Sequence, residues 1–249
     1  MVKTVKIVFL IAGRGRRLNK ITEDSHKSLI CLDEFTMLHH LIENSIYSGF
    51  NEFIPIIGHC SNKIIEEFDK KYSKEIHATF ITNNEYSTKN NLHSLYCAKD
   101  ILQGEEFVLC NGDIVFDREI LKNILKMEGL SSIAIDDYNY LSPIDSPGIK
   151  SSGDIISDLG RHIKFEENSG YAIGIYKFNK ELSNAFFESA RIMLESNPNA
   201  GFHDPLPELF NIFQVHKCRT HEMLWTDIDT FDDIEKAKAI HDKIKVKYI

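Results

Sequence analysis

Apolar and polar positions along this chain fall into blocks whose period switches between two and three to four residues, the signature of strands alternating with helices. Residues 5–11 form a near-continuous apolar run, as in a parallel strand buried on both faces, and a glycine-rich turn follows at once. Met37, Leu38, Leu41, Ile42 and Ile46 then recur at helical spacing and stop near Gly49. The pattern next predicts a strand at 53–57, a polar-faced helix at 62–72, a strand at 77–82 and a helix at 91–102. A strand at 106–110 runs into Asn111-Gly112-Asp113, and a helix at 120–127 and a strand at 132–136 follow. From 137 to 163 the pattern loosens around Pro143, Pro147, Gly148, Gly153 and Gly160, which reads as a β-rich insertion or lid. A strand at 171–178 and helices at 181–194, 206–213 and 230–244 complete the chain, with Thr230 as N-cap of the last and Asp232 and Asp233 in its first turn. This rhythm predicts a doubly wound α/β fold with a mixed, mainly parallel sheet and right-handed crossovers. Ligands of such sheets sit beyond the carboxyl ends of the strands. Both the glycine turn and Asn111-Gly112-Asp113 lie at such ends.

Composition narrows the partners. The 37 acidic and 29 basic residues leave a formal charge of −8, which offers no general attraction to nucleic acid or to a membrane surface. Phosphates must therefore be bound by a local site. The apolar content of 43% supplies a sizeable core over one domain spanning 1–249, with the insertion at about 137–170. Cys31, Cys60, Cys97, Cys110 and Cys218 are odd in number and scattered, which predicts buried, reduced thiols and no zinc site. No apolar run near the start is long enough to span a membrane, so the expected location is cytoplasmic.

Three segments carry candidate chemistry. Ala12-Gly13-Arg14-Gly15-Arg16-Arg17-Leu18 directly follows the first strand, with Thr22 and Lys27 beyond it. Glycines let a backbone approach an anion and turn N–H groups toward it, and arginines add charge. No Walker Gly-Lys-Ser/Thr follows and the third glycine of a dinucleotide fingerprint is missing; a bland strand-to-helix turn stays open. Asp113 closes a buried strand, where a carboxylate needs a partner such as a divalent cation, unless it only caps a turn. Asp227 and Asp229 share one side of Trp225-Thr226-Asp227-Ile228-Asp229-Thr230 if that segment is extended.

The wider array resembles the nucleotidyltransferase family that makes nucleotide-activated sugars and alcohols, whose opening signature runs Ala-Gly-x-Gly-x-Arg-Leu, then a hydrophobic residue, Thr and Pro-Lys. Here the spacing holds through Ile21, Thr22 and Lys27, with Lys20 and His26 replacing the usual prolines. The resemblance implies a Rossmann-like fold, a triphosphate held by Ala12, Gly13, Arg14 and Gly15, catalytic Arg17 and Lys27, and Mg²⁺ on Asp113 and Asp229. Asn90-Asn91-Leu92-His93-Ser94-Leu95, Asp137-Tyr138, Gly148-Ile149-Lys150 and Gly170-Tyr171-Ala172 look like the phosphocholine cytidylyltransferase branch. That implies CTP as donor, with Asn90, Asn91, Ser94 and Asp113 at the nucleotide; helix capping is the alternative role for Asn90, Asn91 and Ser94. Arg161 stands where the branch usually has lysine and Tyr171 where it has glutamate. With Lys150 these are the expected acceptor contacts, and the lost glutamate brings a phosphoglutamine-like acceptor level with a phosphocholine-like one.

The expected reaction is Mg²⁺-dependent cytidylyl transfer from CTP to a small phosphorylated metabolite, releasing pyrophosphate, for modification of a surface polysaccharide such as a capsule, or of a lipid. The rivals are a hexose-1-phosphate uridylyl- or thymidylyltransferase and a non-catalytic nucleotide-binding regulator. Neither nucleic acid nor membrane is an expected partner, and the sequence leaves the assembly open, a homodimer included.

Overall fold

The first strand, β1 (Lys6–Ile11), alternates its side chains between two apolar layers: Val8 enters one, Ile7, Phe9 and Ile11 the other. A sheet fed in this way needs helices on both faces, and the computed structural model has them. It describes residues 5–137, 146–164, 167 and 169–248, without the side chains of residues 19 and 20. The turn expected around Pro143, and Tyr138, lie outside the described residues.

After β1 come two short 3₁₀ turns, α1 (Met37–Tyr47), β2 (Glu52–Ile57), α2 (Ser61–Tyr72), β3 (His77–Ala78), β4 (Ile81–Thr82), α3 (Asn91–Tyr96) and α4 (Lys99–Leu102). Then follow β5 (Phe107–Asn111), β6 (Ile114–Phe116), α5 (Glu119–Lys126), β7 (Ser131–Asp136), β8 (Gly148–Ser152), β9 (Ile155–Gly160) and β10 (Tyr171–Phe178). The chain ends with α6 (Lys180–Ser196), α7 (Leu206–Phe210), β11 (Val215–Arg219), β12 (Trp225–Asp227) and α8 (Phe231–Val246). Among the described residues, ten strands form the main sheet, in the order β3-β2-β1-β5-β10-β7-β11-β9-β8 with β4 also on β2. β2, β1 and β5 pair in parallel, as do β7 and β11, while β10 enters antiparallel between β5 and β7. α1, α2 and α5 cover one face and α3, α4, α6 and α7 the other, the doubly wound arrangement expected. No helix among the described residues is long and apolar enough to cross a membrane.

Three expectations need correction. The strand expected at 77–82 is split into β3 and β4, and the gap falls opposite Pro55 of β2, which has no N–H to give to a ladder. The helix expected at 91–102 breaks where Ala98 leaves helical geometry (ψ 10°), yet Leu92, Leu95, Ala98 and Leu102 remain in one apolar layer. The five cysteines are free, but only Cys110 and Cys218 are buried; Cys31 is exposed because it lies in a short bridge to Thr36 at the surface.

Three strands are missing from the sequence pattern: β11, which extends the main sheet, and β6 and β12, which build the site. β6 and β12 pair antiparallel as a separate ribbon, with Asp227 opposite Ile114. α8 packs Ile234, Ala237 and Ile244 against Leu18, Ile30, Val115 and Ile228, and so ties this ribbon to the segment after β1. The insertion at 137–163 is represented by the β8–β9 hairpin, which joins the far edge of the same sheet.

Candidate active site

Gly15 carries the chain out of β1 at φ +65°, a left-handed conformation that favours glycine. A Cβ there would sit 3.3 Å from Cβ of Lys27, so the glycine also lets the lysine stem pass close beneath the loop. Thr22 Oγ1 donates to the Gly15 carbonyl at 3.0 Å and pins the turn. At Gly13, by contrast, a Cβ would meet nothing within 4 Å, so this backbone faces open space. A small cavity of about 300 Å³ lies there, lined by Gly13, Gly15, Arg17, His26, Lys27 and Asp113 among others.

The carboxylates reach this cavity through the ribbon. Ile228 N–H donates to the Asp113 carbonyl at 2.9 Å, so the β6 and β12 segments are clamped where the two acids emerge. Gly112 makes the turn feasible: a Cβ on it would lie 2.1 Å from Ile11 Cγ2. On the other side Asp233 accepts from the backbone N–H groups of Asp229 and Thr230, completing the capping box of α8 and fixing Asp229 at its entrance.

Lys27 Nζ donates to Asp113 Oδ2 and to Asp229 Oδ1, each at 3.0 Å. Burial opposes its charge, but the two carboxylates outweigh it and raise its pKa. Arg17 adds a 2.9 Å contact to the second oxygen of Asp229. Asp227 lies close by and is pushed up to about 6, first by burial and then by Asp113 and Asp229. Three carboxylates and two cations thus share one end of the sheet, and the charged side chains picked out of distant sequence segments meet there.

The site opens into a larger cavity of about 780 Å³, whose walls include Asn90, Asn91, Asn111, Arg161, Tyr176 and Trp225. Asn90 caps α3 and donates to the Asn199 carbonyl at 3.2 Å, while Asn91 Oδ1 accepts from Phe202 N–H at 2.9 Å. The capping alternative therefore holds for Asn90, yet both asparagines also line the cavity. Ser94 does not line it: its buried hydroxyl accepts from Asn83 Nδ2 at 2.9 Å. Ala12 is buried and its carbonyl accepts from His59 N–H, and Arg14 is exposed beside the smaller cavity rather than in its lining. Of the three expected acceptor contacts only Arg161 lines the larger cavity; Lys150 Nζ lies 2.5 Å from Glu167, and Tyr171 pairs with Asp136 and Gly148 in the sheet.

Residues 6–135, just over half of the chain, match the model of the nucleotidyl transferase family. The chain belongs to that family. It is 24% identical to the CTP:phosphoglutamine cytidylyltransferase of Campylobacter jejuni, over 92% of this chain and 97% of that protein. It is 25% identical to the bifunctional IPC transferase and DIPP synthase of Aquifex aeolicus over 99% of this chain, which spans about half (54%) of that longer relative. The choline-phosphate cytidylyltransferase of Streptococcus pneumoniae is 33% identical over a shorter stretch, 39% of this chain and 41% of that protein. In fold, the inositol-1-phosphate CTP transferase of T. maritima superposes with a TM-score of 0.81 at 18% identity, covering 97% of this chain and 96% of the other. The CTP:phosphocholine cytidylyltransferase of Streptococcus pneumoniae gives 0.79 at 18% identity over 96% and 99%.

The cavity of this nucleotidyl transferase is also walled by residues that its sequence pattern did not single out. Residues 199–204, between α6 and α7, form one wall of the larger cavity, with Phe202 and His203 against Tyr176 and a 2.6 Å hydrogen bond between the Tyr176 hydroxyl and His203 Nε2. The only hint in the sequence is a run of turn-formers, Asn197-Pro198-Asn199-Ala200-Gly201, which reads equally well as a plain loop. Trp225 Nε1 donates to the buried Asp136 at 2.6 Å, so the ribbon is fastened to the main sheet beside the cavity.

Proposed function

We propose that this nucleotidyl transferase moves the cytidylyl group of CTP to a small phosphorylated acceptor and releases pyrophosphate. The observation that carries the reading is Lys27 held between Asp113 and Asp229 directly below the Gly13–Gly15 backbone. Cytidine as the base is supported by the Campylobacter relative, which matches over nearly the whole of both chains and is named for CTP. The smaller cavity is the triphosphate end, and the larger one takes the nucleoside along Asn90 and Asn91 and the acceptor along Arg161. The hairpin β8–β9 and the adjoining residues around 137–170 are the acceptor-binding part of a single domain.

A phosphate oxygen of the acceptor attacks the α-phosphorus in line, the bond to the bridging oxygen breaks, and pyrophosphate departs. No covalent enzyme intermediate is required, so orientation and charge neutralisation supply the catalysis. The Gly13 backbone approaches the phosphates, Lys27 acts as a compact charge at the α-phosphate and leaving group, and the Arg17 fork takes phosphate oxygens. Ala12 and Arg14 flank that loop, and Ser94 supports the nucleotide side through Asn83.

Asp113 and Asp229 also fit a divalent cation. A pair of carboxylates beside a phosphate site suits Mg²⁺, an ion held by one or two carboxylates together with substrate phosphates rather than by a protein cage. When bound there, Mg²⁺ would neutralise charge on the phosphates. Burial comes first in raising Asp227, and Asp113 and Asp229 add to it even with Lys27 present, so a further positive charge at the site would be accommodated.

At the acceptor end Arg161 presents a cation, which favours an acceptor bearing an amide or carboxylate over one bearing a quaternary ammonium. A phosphoglutamine-like acceptor is thus preferred to a phosphocholine-like one, with Lys150 of β8 and Tyr171 of β10, which lie outside the lining of the larger cavity, as further proposed contacts. The test is pyrophosphate release with CTP, UTP, dTTP and ATP in Mg²⁺, each against phosphoglutamine, phosphocholine, phosphoethanolamine and hexose 1-phosphates. CTP with a phosphorylated amide or amine is the expected pair; release confined to UTP or dTTP with a hexose 1-phosphate would sink it.

A further inference from the structure

His26 stands next to Lys27, where the signature of the opening segment has proline, and the reaction as described gives it no role. Its geometry is nevertheless specific. The ring is 4% exposed, and its Nδ1 accepts from Ser28 N–H at 3.0 Å and lies 2.7 Å from the Ser28 hydroxyl. A backbone N–H can only donate, so Nδ1 must be the bare nitrogen and the proton must sit on Nε2. That Nε2 is buried with no partner at hydrogen-bond geometry among the described residues, and the Gly13 backbone raises the pKa of the ring against the effect of burial. His26 is among the residues that line the same small cavity as Gly13, Gly15, Arg17 and Lys27.

A buried N–H without an acceptor is costly, and a binding or catalytic role is one of the few reasons native proteins keep such a group. The charge state agrees with a donor role. Burial, followed by the neighbouring His59, lowers the pKa of His26 to about 4, and His59 itself is engaged with the Thr22 carbonyl at 2.8 Å. His26 is therefore a neutral, oriented donor beside two cations that are already committed to carboxylates.

We infer that His26 is a phosphate-binding residue of this pocket, its Nε2–H donating to a non-bridging oxygen of the departing pyrophosphate. The inference rests on the small cavity being the triphosphate end of the site. The hydrogen bond moves no proton; it places an uncharged dipole where negative charge grows as the bond to the α-phosphorus breaks. An uncharged donor at this position also leaves the balance between Lys27, Arg17 and the carboxylates untouched, which a further lysine or arginine would not.

The test is calorimetric titration of wild type, His26→Phe and His26→Gln with inorganic pyrophosphate, CTP and CMP, each in Mg²⁺. His26→Phe keeps the ring volume and removes the donor, and should weaken pyrophosphate and CTP about tenfold, the scale of one hydrogen bond to a charged group. CMP, which lacks the outer phosphates, should bind within about twofold of wild type, and that also reports an intact fold. His26→Gln restores an N–H and should recover most of the pyrophosphate affinity even if the phenylalanine variant folds poorly. Unchanged pyrophosphate binding in His26→Phe, or an equal loss for CMP, overturns the inference and leaves His26 a support for the loop. Wild-type protein that binds neither CTP nor CMP overturns both this inference and the nucleotide reading beneath it.

Discussion

Replacing Lys27 with methionine keeps the stem beneath Gly15 and removes the ammonium that touches both Asp113 and Asp229. The two contacts are 3.0 Å each, the Lys27 side chain is 10% exposed, and the acids are 34% and 20% exposed. Breaking a fully buried ion pair by deleting one partner costs about 3–5 kcal/mol; with Asp113 a third exposed, solvent screening brings the expected loss to about 2–3 kcal/mol. The sign of the pH dependence is fixed. A lysine whose folded pKa is raised contributes in full below its unfolded value, about 10.4, and loses the contribution only as pH rises past the folded one. Urea unfolding near neutral pH therefore reads the whole effect. Mg²⁺ should recover part of the loss in Lys27→Met and little in wild type, because the variant leaves the acid pair short of positive charge. Turnover should fall by about 10²–10³ in the same variant, since the charge facing the α-phosphate is gone. A variant as stable as wild type, with no response to Mg²⁺, would refute the reasoning that these three side chains form one electrostatic unit.

Asp113→Asn should reduce pyrophosphate release at least 100-fold, on the scale of about 10²–10³ for one electrostatic contact, without loss of the circular dichroism signal; retention above about a tenth in saturating Mg²⁺ removes Asp113 from the site. Gly13→Ala places a Cβ in open space, so its unfolding free energy should stay within the range of about 0.5 kcal/mol typical of surface changes, while the KM for CTP rises at least about tenfold if phosphates occupy that space. An unchanged KM would put the triphosphate elsewhere. Gly112→Ala drives a Cβ to 2.1 Å from Ile11 Cγ2 and should cost about 1–3 kcal/mol in urea unfolding, with activity lost alongside because Asp113 is displaced. Burial, with His241 nearby, lowers His40 to about 3, and burial lowers His203 to about 3. Such groups stabilise the fold above their unfolded pKa of about 6.5 and lose that contribution as pH falls, each by up to about 1.4 kcal/mol per pH unit. Urea unfolding at a series of pH values should show that decline, and His40→Gln should lessen its slope; an unchanged slope would contradict the assignment.

The doubly wound core was legible because its strands are buried on both faces and its helices carry long apolar stripes, as in residues 5–11 and 37–48. One part of the candidate site was legible through spacing within one segment: Gly13, Gly15, Arg17 and Lys27 follow a single strand. Partnership was not. Nothing in the residues around Lys27 says that it will sit between acids 86 and 202 positions away, because that depends on the β6–β12 ribbon, whose three-residue strands are too short to show a period. The wall at 199–204 was hidden for a related reason: it is held by hydrogen bonds to Asn90 and Asn91, more than 100 positions away in the sequence. Lys177 shows the limit in the core. A charged residue in a strand pattern reads as solvent-facing, but here it is 1% exposed, 3.3 Å from Glu106 and bonded to the Met127 carbonyl. Ser94, read as a nucleotide contact or a cap, accepts from Asn83 in the interior, a partnership that only the packed structure can show.

The central claim is tested most directly by following the phosphorus atoms of CTP by ³¹P NMR, with phosphoglutamine and Mg²⁺ present. The account predicts free pyrophosphate and a new phosphoanhydride that joins the α-phosphate to the acceptor, formed in step and absent with Lys27→Met. Conversion of CTP to CDP and inorganic phosphate, or an unchanged spectrum when UTP with a hexose 1-phosphate gives the anhydride instead, would contradict it.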